Sequence, residues 1–205
     1  MLFIFINMFI RTMVLNFVFI ISNRFANSYG NNSLAAYTIG LNIWLFTSFF
    51  IDGYSNAGNA LAGKFLGAND NKNLNRLGWK LMFINLRIAI GLSIIYFVSY
   101  PFMSQIFNSD PEVQQIFNSF YWLVILAIPI NSIAYSFDGV FKGLGEAKFL
   151  RNILLVGTFI IFIPVLLLMD YLKLDLFSIW IAFVAWMLWR AISLVVKFYK
   201  LVNDK

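Results

Sequence analysis

Two carboxylates, Asp52 and Asp138, lie within long apolar segments of the chain, where a charged side chain is rare. An acid inside a bilayer is costly to maintain, so each is a candidate for binding a cation or carrying a proton. Asp52 is about 18 residues from the start of its segment, or about 27 Å at 1.5 Å per residue. A helix cap or an ion pair at the membrane boundary is therefore the alternative for Asp52.

The chain has 205 residues and contains no His and no Cys, which narrows the possible chemistry. Haem, iron–sulfur clusters, Cys-ligated zinc and thiol- or His-based catalysis are excluded. We find no nucleophile–base pair and no pattern of metal ligands in the sequence, so an enzyme is the least supported class. No cofactor is expected.

Polar residues recur at steps of three and four in three of the apolar segments, so in each they share one helix face. They are Thr12, Asn16 and Asn23 in the first segment, Asn42, Asp52, Asn56 and Asn59 in the second, and Asn131, Tyr135, Asp138 and Lys142 in the fourth. Amides turned toward lipid would lack hydrogen bonds, so we expect these faces to meet each other or a water-filled cavity. Helix packing through small and hydroxyl residues is the alternative, with Ser132, Ser136, Gly139 and Gly143 as the best example.

The other intramembrane charges have simpler interpretations. Asp138 and Lys142 are one helical turn apart, and an ion pair between them is the alternative to a cation site at Asp138. Arg87 either extends toward the membrane surface or neutralises an acid. Arg11 and Arg190 are near the ends of their segments, and we expect them to be interfacial anchors.

Six apolar segments of about 20 residues or more must position these side chains, and each is long enough to cross a bilayer. Their bounds are 8–28, 34–65, 78–100, 116–143, 148–169 and 176–199. The composition agrees, because 12% of the residues are charged whereas a soluble domain has about 25%. The sequence predicts an all-α polytopic membrane protein with six transmembrane helices, and it offers no basic domain to bind nucleic acid.

The links between segments predict the orientation in the membrane. Basic residues concentrate in the links that follow the second and fourth segments, in the tail after the sixth, and at the segment ends beside them. They include Lys64, Lys72, Arg76, Lys80, Lys148, Arg151, Lys197 and Lys200. The positive-inside rule therefore places both termini in the cytoplasm. The membrane is predicted to be the inner (plasma) membrane. The first residues lack a basic region and a cleavage site, so we expect the first segment to stay in the membrane.

Local signals predict where the helices start and bend. Ser33 is expected to cap the second helix. That helix would be too long for the bilayer, so we expect a kink or an extension into the cytoplasm near Gly53–Gly58. Pro129 and Pro164 each remove a backbone hydrogen bond, and we expect a bend at each.

Three stretches of the chain have a familiar pattern: Asn7–Thr12, Leu34–Ala36 with Phe50–Gly63, and Phe137–Gly143 followed by Arg151. Together they resemble a known transporter family, multidrug and toxic compound extrusion (MATE), and within it the DinF-type branch. Asn7–Thr12 resembles the start of the family's seventh helix. Leu34–Ala36 with Phe50–Gly63 resembles the eighth helix, and Phe137–Gly143 followed by Arg151 resembles the tenth helix and its loop. The resemblance covers the whole chain.

The resemblance implies the C-terminal six-helix lobe of a two-lobed transporter that exports amphipathic or cationic molecules in exchange for H⁺ or Na⁺. It implies membrane lipid, such substrates, and either a missing N-terminal lobe or a second copy as partners. Asp138 occupies a place similar to that of an acid of the family's tenth helix, but the first segment has no Asp or Glu to accompany it. In the DinF-type branch the main coupling acids belong to the other lobe. The residues expected to line the cleft are Asn16, Asn42, Asp52, Asn56 and Asp138.

Two other functions stay open. A related flippase for lipid-linked sugars would need several Arg or Lys residues in its cleft, and Arg87 is the deep basic candidate. A non-transporting membrane partner, or a truncated product, would explain a chain as short as one lobe.

Overall fold

A computed structural model describes residues 2–203, and within that range every regular element is a helix. The helices are α1 (Leu2–Ser28), α2 (Asn31–Gly67), α3 (Asn71–Val98), α4 (Tyr100–Phe107), α5 (Pro111–Gly143), α6 (Ala147–Val156), α7 (Ile163–Tyr171) and α8 (Leu176–Asn203). A π-helical segment, Gly157–Phe162, joins α6 to α7 into one span. Within residues 2–203, six spans are long and apolar enough to cross a membrane, which confirms the predicted fold class.

The predicted segments fall within these helices with one exception. The third segment was predicted to reach residue 100, but α3 ends at Val98 and the short helix α4 begins at Tyr100. Pro101 is in the first turn of α4, where its missing N–H leaves no bond unmade. The Tyr100 hydroxyl donates a hydrogen bond to the Asn118 carbonyl, which fixes α4 against α5. The sequence analysis did not predict α4.

Helix α2 differs from its prediction at its start. The prediction that Ser33 caps the helix is wrong, because the helix begins at Asn31 and Gly30 is the capping residue. Gly30 has a φ of 108°, a conformation that glycine adopts without strain. From there α2 runs uninterrupted for 37 residues, or about 55 Å. Its continuity through Gly53 and Gly58 favours the predicted extension beyond the bilayer over a break.

Three helices, α2, α5 and α8, form the centre of the lobe. Half of the apolar window is buried in each of them, compared with 17% in α1 and 28% in α3. Trp180 of α8 is at the middle of the core, stacked on Phe120 with ring centroids 5.3 Å apart and packed against Tyr37 and Trp44. Helix α1 is therefore the most loosely held span, and it packs mainly along α6.

Small residues bring α2 and α5 into close contact. A Cβ atom at Gly139 would lie 2.4 Å from the Ser55 carbonyl oxygen, and one at Gly143 would lie 2.2 Å from the Asn59 carbonyl oxygen. The sequence analysis gave close helix packing as the alternative role of these two glycines, and these contacts confirm it. Because the two backbones touch, the segments that carry Asp52 and Asp138 are held side by side.

The two prolines have different surroundings. Pro129 lies inside α5, which stays continuous, and the Ser132 hydroxyl donates to the Pro129 carbonyl at 2.7 Å. Pro164 is the second residue after the π-helical segment. Proline cannot donate a backbone hydrogen bond, and the wider turn before it changes the pairing of the preceding carbonyls. The expected irregularity of the fifth span is therefore located at residues 157–162.

Polar contacts close the end of the lobe at which α1 turns into α2. The Asn32 amide donates to the Glu112 carboxylate at 2.7 Å, which joins α2 to α5. The Tyr29 hydroxyl donates to Asp170 at 2.5 Å, which joins the α1–α2 turn to α7. Burial, followed by the neighbouring Asp170 carboxylate, raises the pKa of Tyr29, so the hydroxyl stays protonated and keeps its role as donor.

Candidate functional site

A buried ion cluster surrounds Asp138 of α5. Its carboxylate accepts hydrogen bonds from Arg11 Nη2 at 2.8 and 2.9 Å, and Lys142 Nζ lies 2.9 Å from Oδ2. Arg190 Nη2 lies 3.5 Å from Oδ1. The Asp138 side chain is only 3% exposed. These four residues, called here the Asp138 cluster, connect α1, α5 and α8.

Aromatic side chains hold the third cation of the cluster. The Arg190 guanidinium lies 5.2 Å from the centre of the Trp186 ring and 5.7 Å from that of Tyr135. Its Nη1 donates to the Met187 sulfur at 3.2 Å. Such cation–π contacts help to compensate an arginine for the loss of water, and Arg190 is 3% exposed. The aromatic contacts also fix the direction of its guanidinium toward Asp138.

The structure corrects the interpretation of Arg11 and Arg190 as interfacial anchors. Both side chains turn inward and converge on Asp138, because an acid in an apolar interior attracts whichever cations can reach it. The predicted pair of Asp138 with Lys142 is present as well. Three cations therefore face one carboxylate, and the Asp138 cluster has more positive than negative groups.

A cavity of about 220 Å³ lies beside the cluster, among α1, α2, α5 and α8. Its polar lining includes all four members of the Asp138 cluster together with Ser48, Asp52 and Tyr135, and its apolar lining includes Phe19, Trp44, Phe49 and Trp186. Asp52 is half-buried there. Within residues 2–203 no Lys or Arg lies within ion-pair distance of Asp52, since all ion pairs in that range involve Asp138. Among the described residues, the cavity thus contains one carboxylate with ion-pair partners and one without.

The five predicted cleft residues do not converge on this cavity. Asp52 and Asp138 line it, whereas Asn42 lines a separate apolar depression of about 440 Å³ next to Phe46 and Tyr96. Asn16 and Asn56 are exposed, and the Asn16 amide donates to the Thr12 carbonyl within its own helix at 3.0 Å. The structure therefore brings two of the five together and distributes the other three along the surface of α1 and α2.

The polar face of α2 points away from the rest of the lobe. Thr38, Asn42 and Asn56 are exposed, while Ile51 and Ser55 on the opposite side are buried against the other helices. The polar faces of α1 and α2 therefore do not meet each other, which was one of the two arrangements expected from the sequence. They form an open surface that continues from the rim of the cavity.

Comparison with known proteins identifies the family. The MatE family profile matches residues 8–168, which is most of the chain. This chain belongs to the MatE family. The family predicted from the Asp52 and Asp138 segments is thereby confirmed, and the DinF-type branch within it stays a prediction.

Relatives of this MatE chain come from plants and bacteria. It is 28% identical to Protein DETOXIFICATION 42 of Arabidopsis thaliana over 66% of the chain and 26% of the relative. It is 25% identical to DNA damage-inducible protein F of Escherichia coli over 62% of the chain and 28% of the relative. The crystal structure of the Vibrio cholerae MATE transporter VcmN in the bent form superposes on 95% of the chain with a TM-score of 0.84 and 16% identity. The chain covers 44% of that structure and about a quarter of the two relatives.

Sequence reasoning did not assign two buried polar features of the lobe. Arg11 and Arg190 come to Asp138 from helices at opposite ends of the chain, and the available signal was that both belong to apolar segments, near their ends. Asn85 of α3 is fully buried and donates to Ser55 at 3.2 Å and to Ser136 at 2.8 Å. This amide joins α2, α3 and α5. Like the two arginines, it is a strongly polar residue in an apolar segment.

Proposed function

We propose that this chain forms one lobe of a secondary active antiporter that extrudes small amphipathic or cationic molecules in exchange for H⁺ or Na⁺. The observation that carries the proposal is the paired and unpaired carboxylates, Asp138 and Asp52, in one cavity that opens onto an unpacked polar face. Family membership supports it, because relatives are named as a multidrug export protein and as MATE transporters.

In this mechanism Asp52 and Asp138 have different tasks. Asp52 has no cation partner among the described residues, so it takes up the proton, the Na⁺ or the cationic group of the substrate. The rings of Trp44 and Phe49 line the same cavity, and aromatic faces attract cations and apolar substrates alike. Asp138 instead holds Arg11, and with it α1, against α5.

Alternating access requires an element with two arrangements whose balance the ligands shift. Helix α1 meets this requirement, because it is the least buried span and is tied to α5 through the Arg11–Asp138 pair. Substrate or coupling ion in the cavity changes the charge that Arg11 experiences. We infer that release of Arg11 from Asp138 allows α1 to move and that its return restores the starting state.

Transport also requires a second wall for the cavity. The exposed polar faces of α1 and α2 and the coverage of 44% of the VcmN structure support an N-terminal lobe, or a second copy, placed opposite this face. Both termini are proposed to be cytoplasmic, in the plasma membrane, because the basic links gather at one end of the lobe.

Dye efflux from cells that express the complete two-lobed protein tests this assignment. Asp52→Asn is expected to lower efflux of a cationic dye at least about fivefold, which corresponds to the lower end of a typical coupling energy. It is also expected to remove the dependence of efflux on the coupling ion, whether external pH or Na⁺. Asp110→Asn changes an exposed acid outside the spans and is the matched control. Unaltered efflux by Asp52→Asn at equal expression would remove Asp52 from the mechanism.

One specific observation supports the alternative function, a flippase for lipid-linked sugars. The cavity is lined by three cations, Arg11, Lys142 and Arg190, against two carboxylates, and such an excess suits an anionic group such as a pyrophosphate. Arg87, the basic residue first considered for this role, is exposed on α3 away from the cavity. Two assays of the complete protein in vesicles distinguish the two functions. The antiporter predicts efflux of a cationic dye, whereas the flippase predicts translocation of a pyrophosphate-bearing lipid between leaflets and no dye efflux.

A further inference from the structure

The outward surface of α3 carries basic residues that the transport mechanism does not use. Arg76, Lys80 and Arg87 are all exposed. At 100° per residue they lie on the side of α3 opposite its buried residues, such as Leu81 and Asn85. Among residues 2–203 none of the three forms an ion pair. This face therefore presents positive charge that the described part of the chain leaves uncompensated.

A groove runs beside two of these cations, where the end of α2 meets the start of α3. Its volume is about 340 Å³. It is lined by Leu61, Phe65 and Leu77 on the apolar side and by Asn73, Arg76 and Lys80 on the polar side. The nearest acid in the α2–α3 turn, Asp70, is occupied by hydrogen bonds from the backbone and side chain of Asn73. The groove thus combines unopposed positive charge with an apolar wall.

The same face of α3 becomes apolar toward the opposite end of the helix. Phe83, Ile90 and Ile94 are 52%, 45% and 58% exposed. Arg87 interrupts this strip seven residues after Lys80, which is about 10 Å along the helix. An exposed arginine at that depth is costly unless its guanidinium reaches an anion near the membrane surface. The order of charges and apolar residues along α3 therefore matches an amphiphile with an anionic head.

We propose that the groove binds an anionic phospholipid. The phosphate lies between Arg76 and Lys80, and the acyl chains follow Phe65, Phe83 and the apolar strip of α3. Arg87 extends toward the same head group. Basic pockets between membrane helices select anionic over zwitterionic lipids, and each basic residue near the surface is worth roughly fivefold in affinity. The lipid would tie the α2–α3 turn to its leaflet.

Native mass spectrometry of the complete protein in detergent, titrated with phosphatidylglycerol or phosphatidylcholine, tests the proposal. The wild type is expected to retain phosphatidylglycerol in preference to phosphatidylcholine. The double variant R76Q/K80Q should bind phosphatidylglycerol about 25-fold more weakly. Lys148→Gln with Lys200→Gln removes two exposed charges elsewhere and should leave that affinity unchanged.

A second variant keeps the test decisive if R76Q/K80Q does not purify. Arg87→Leu places an apolar residue on the lipid-facing side of α3, so it should preserve the fold while lowering phosphatidylglycerol affinity about fivefold. Equal binding of both lipids by the wild type would overturn the proposal. So would an equal loss in the Lys148/Lys200 pair, because it would show general attraction to the basic end of the protein in place of a defined groove.

Discussion

The two walls of the central cavity each carry one aspartate, and the surroundings of the two carboxylates differ completely. On the α5–α8 wall, Asp138 is 3% exposed and contacts three cations. On the α2 wall, Asp52 is half-buried and has no ion-pair partner among residues 2–203. The comparison teaches that an intramembrane acid acquires its role from the helices that pack around it. Two acids with similar sequence surroundings can therefore differ in role, with Asp138 holding helices together and Asp52 left for the proposed transport function.

Removal of the charge at Asp138 provides the largest test of this difference. Asp138→Asn leaves three cations close together without their carboxylate, and losing one partner of a buried pair destabilises a protein by about 3–5 kcal/mol. Asp52→Asn breaks no ion pair and should change the free energy of unfolding by less than about 0.5 kcal/mol. Thermal unfolding in detergent measures both. Similar losses for the two variants would show that the walls do not differ in this way.

A double-mutant cycle between α1 and α5 tests the direct pair of Arg11 with Asp138. Arg11→Gln and Asp138→Asn should each destabilise the protein, and the double variant should cost less than the sum by about 1–3 kcal/mol. The same cycle with Arg24, an exposed arginine of α1, should give no coupling. Strict additivity of the Arg11 cycle would argue against a direct Arg11–Asp138 pair.

The contact that holds the two walls together can be tested at a glycine. Gly139→Val places new carbon atoms against the Ser55 backbone, where a Cβ alone would lie 2.4 Å from the carbonyl oxygen. Overpacking of this kind costs about 1–3 kcal/mol. Gly53→Ala on the α2 wall points into open space and should be neutral or slightly stabilising. Wild-type stability of Gly139→Val would mean that the walls separate easily.

Substitution of a third carboxylate, Asp70, should have the smallest effect on stability, because its hydrogen-bond partners belong to its own helical turn. Asp70 accepts hydrogen bonds from the backbone and side chain of Asn73, which lower its pKa. A lowered pKa in the folded state adds stability above the unfolded value of about 3.9, and this stability is lost as the pH falls through the folded value. The small deficit of Asp70→Ala against wild type should therefore be present at pH 7 and disappear in acid. A deficit that persists in acid would point to packing.

The sequence predicted the elements that depend on local pattern. Six apolar segments of sufficient length yield six spans, because a bilayer leaves the chain few alternatives to a helix. The Asp138–Lys142 pair was predictable because it needs only the spacing of one helix. The start of α2 was predicted wrongly, since Ser33 is a good capping residue in general while Gly30 provides the backbone conformation that the turn requires.

The site itself depends on contacts that no local pattern contains. Arg11 and Arg190 reach Asp138 from α1 and α8, and their sequence positions favour interfacial anchors equally well. The open face of α2 was predicted as polar, but whether a polar face meets a neighbouring helix or solvent depends on the packing of the opposite side. In α2 that side is decided by residues such as Gly58, where a Cβ would lie 2.2 Å from Leu81.

Helices α2 and α5 are joined near both of their ends, by the Asn32–Glu112 hydrogen bond and by the contacts of Gly139 and Gly143. Two long helices fixed to each other in this way are expected to move as one body. In the proposed transport cycle the separation of Asp52 from Asp138 should then stay constant, while the separation of α1 from α5 changes. Spin labels on α2 and α5 would report a single distance in every state, and labels on α1 and α5 would report two.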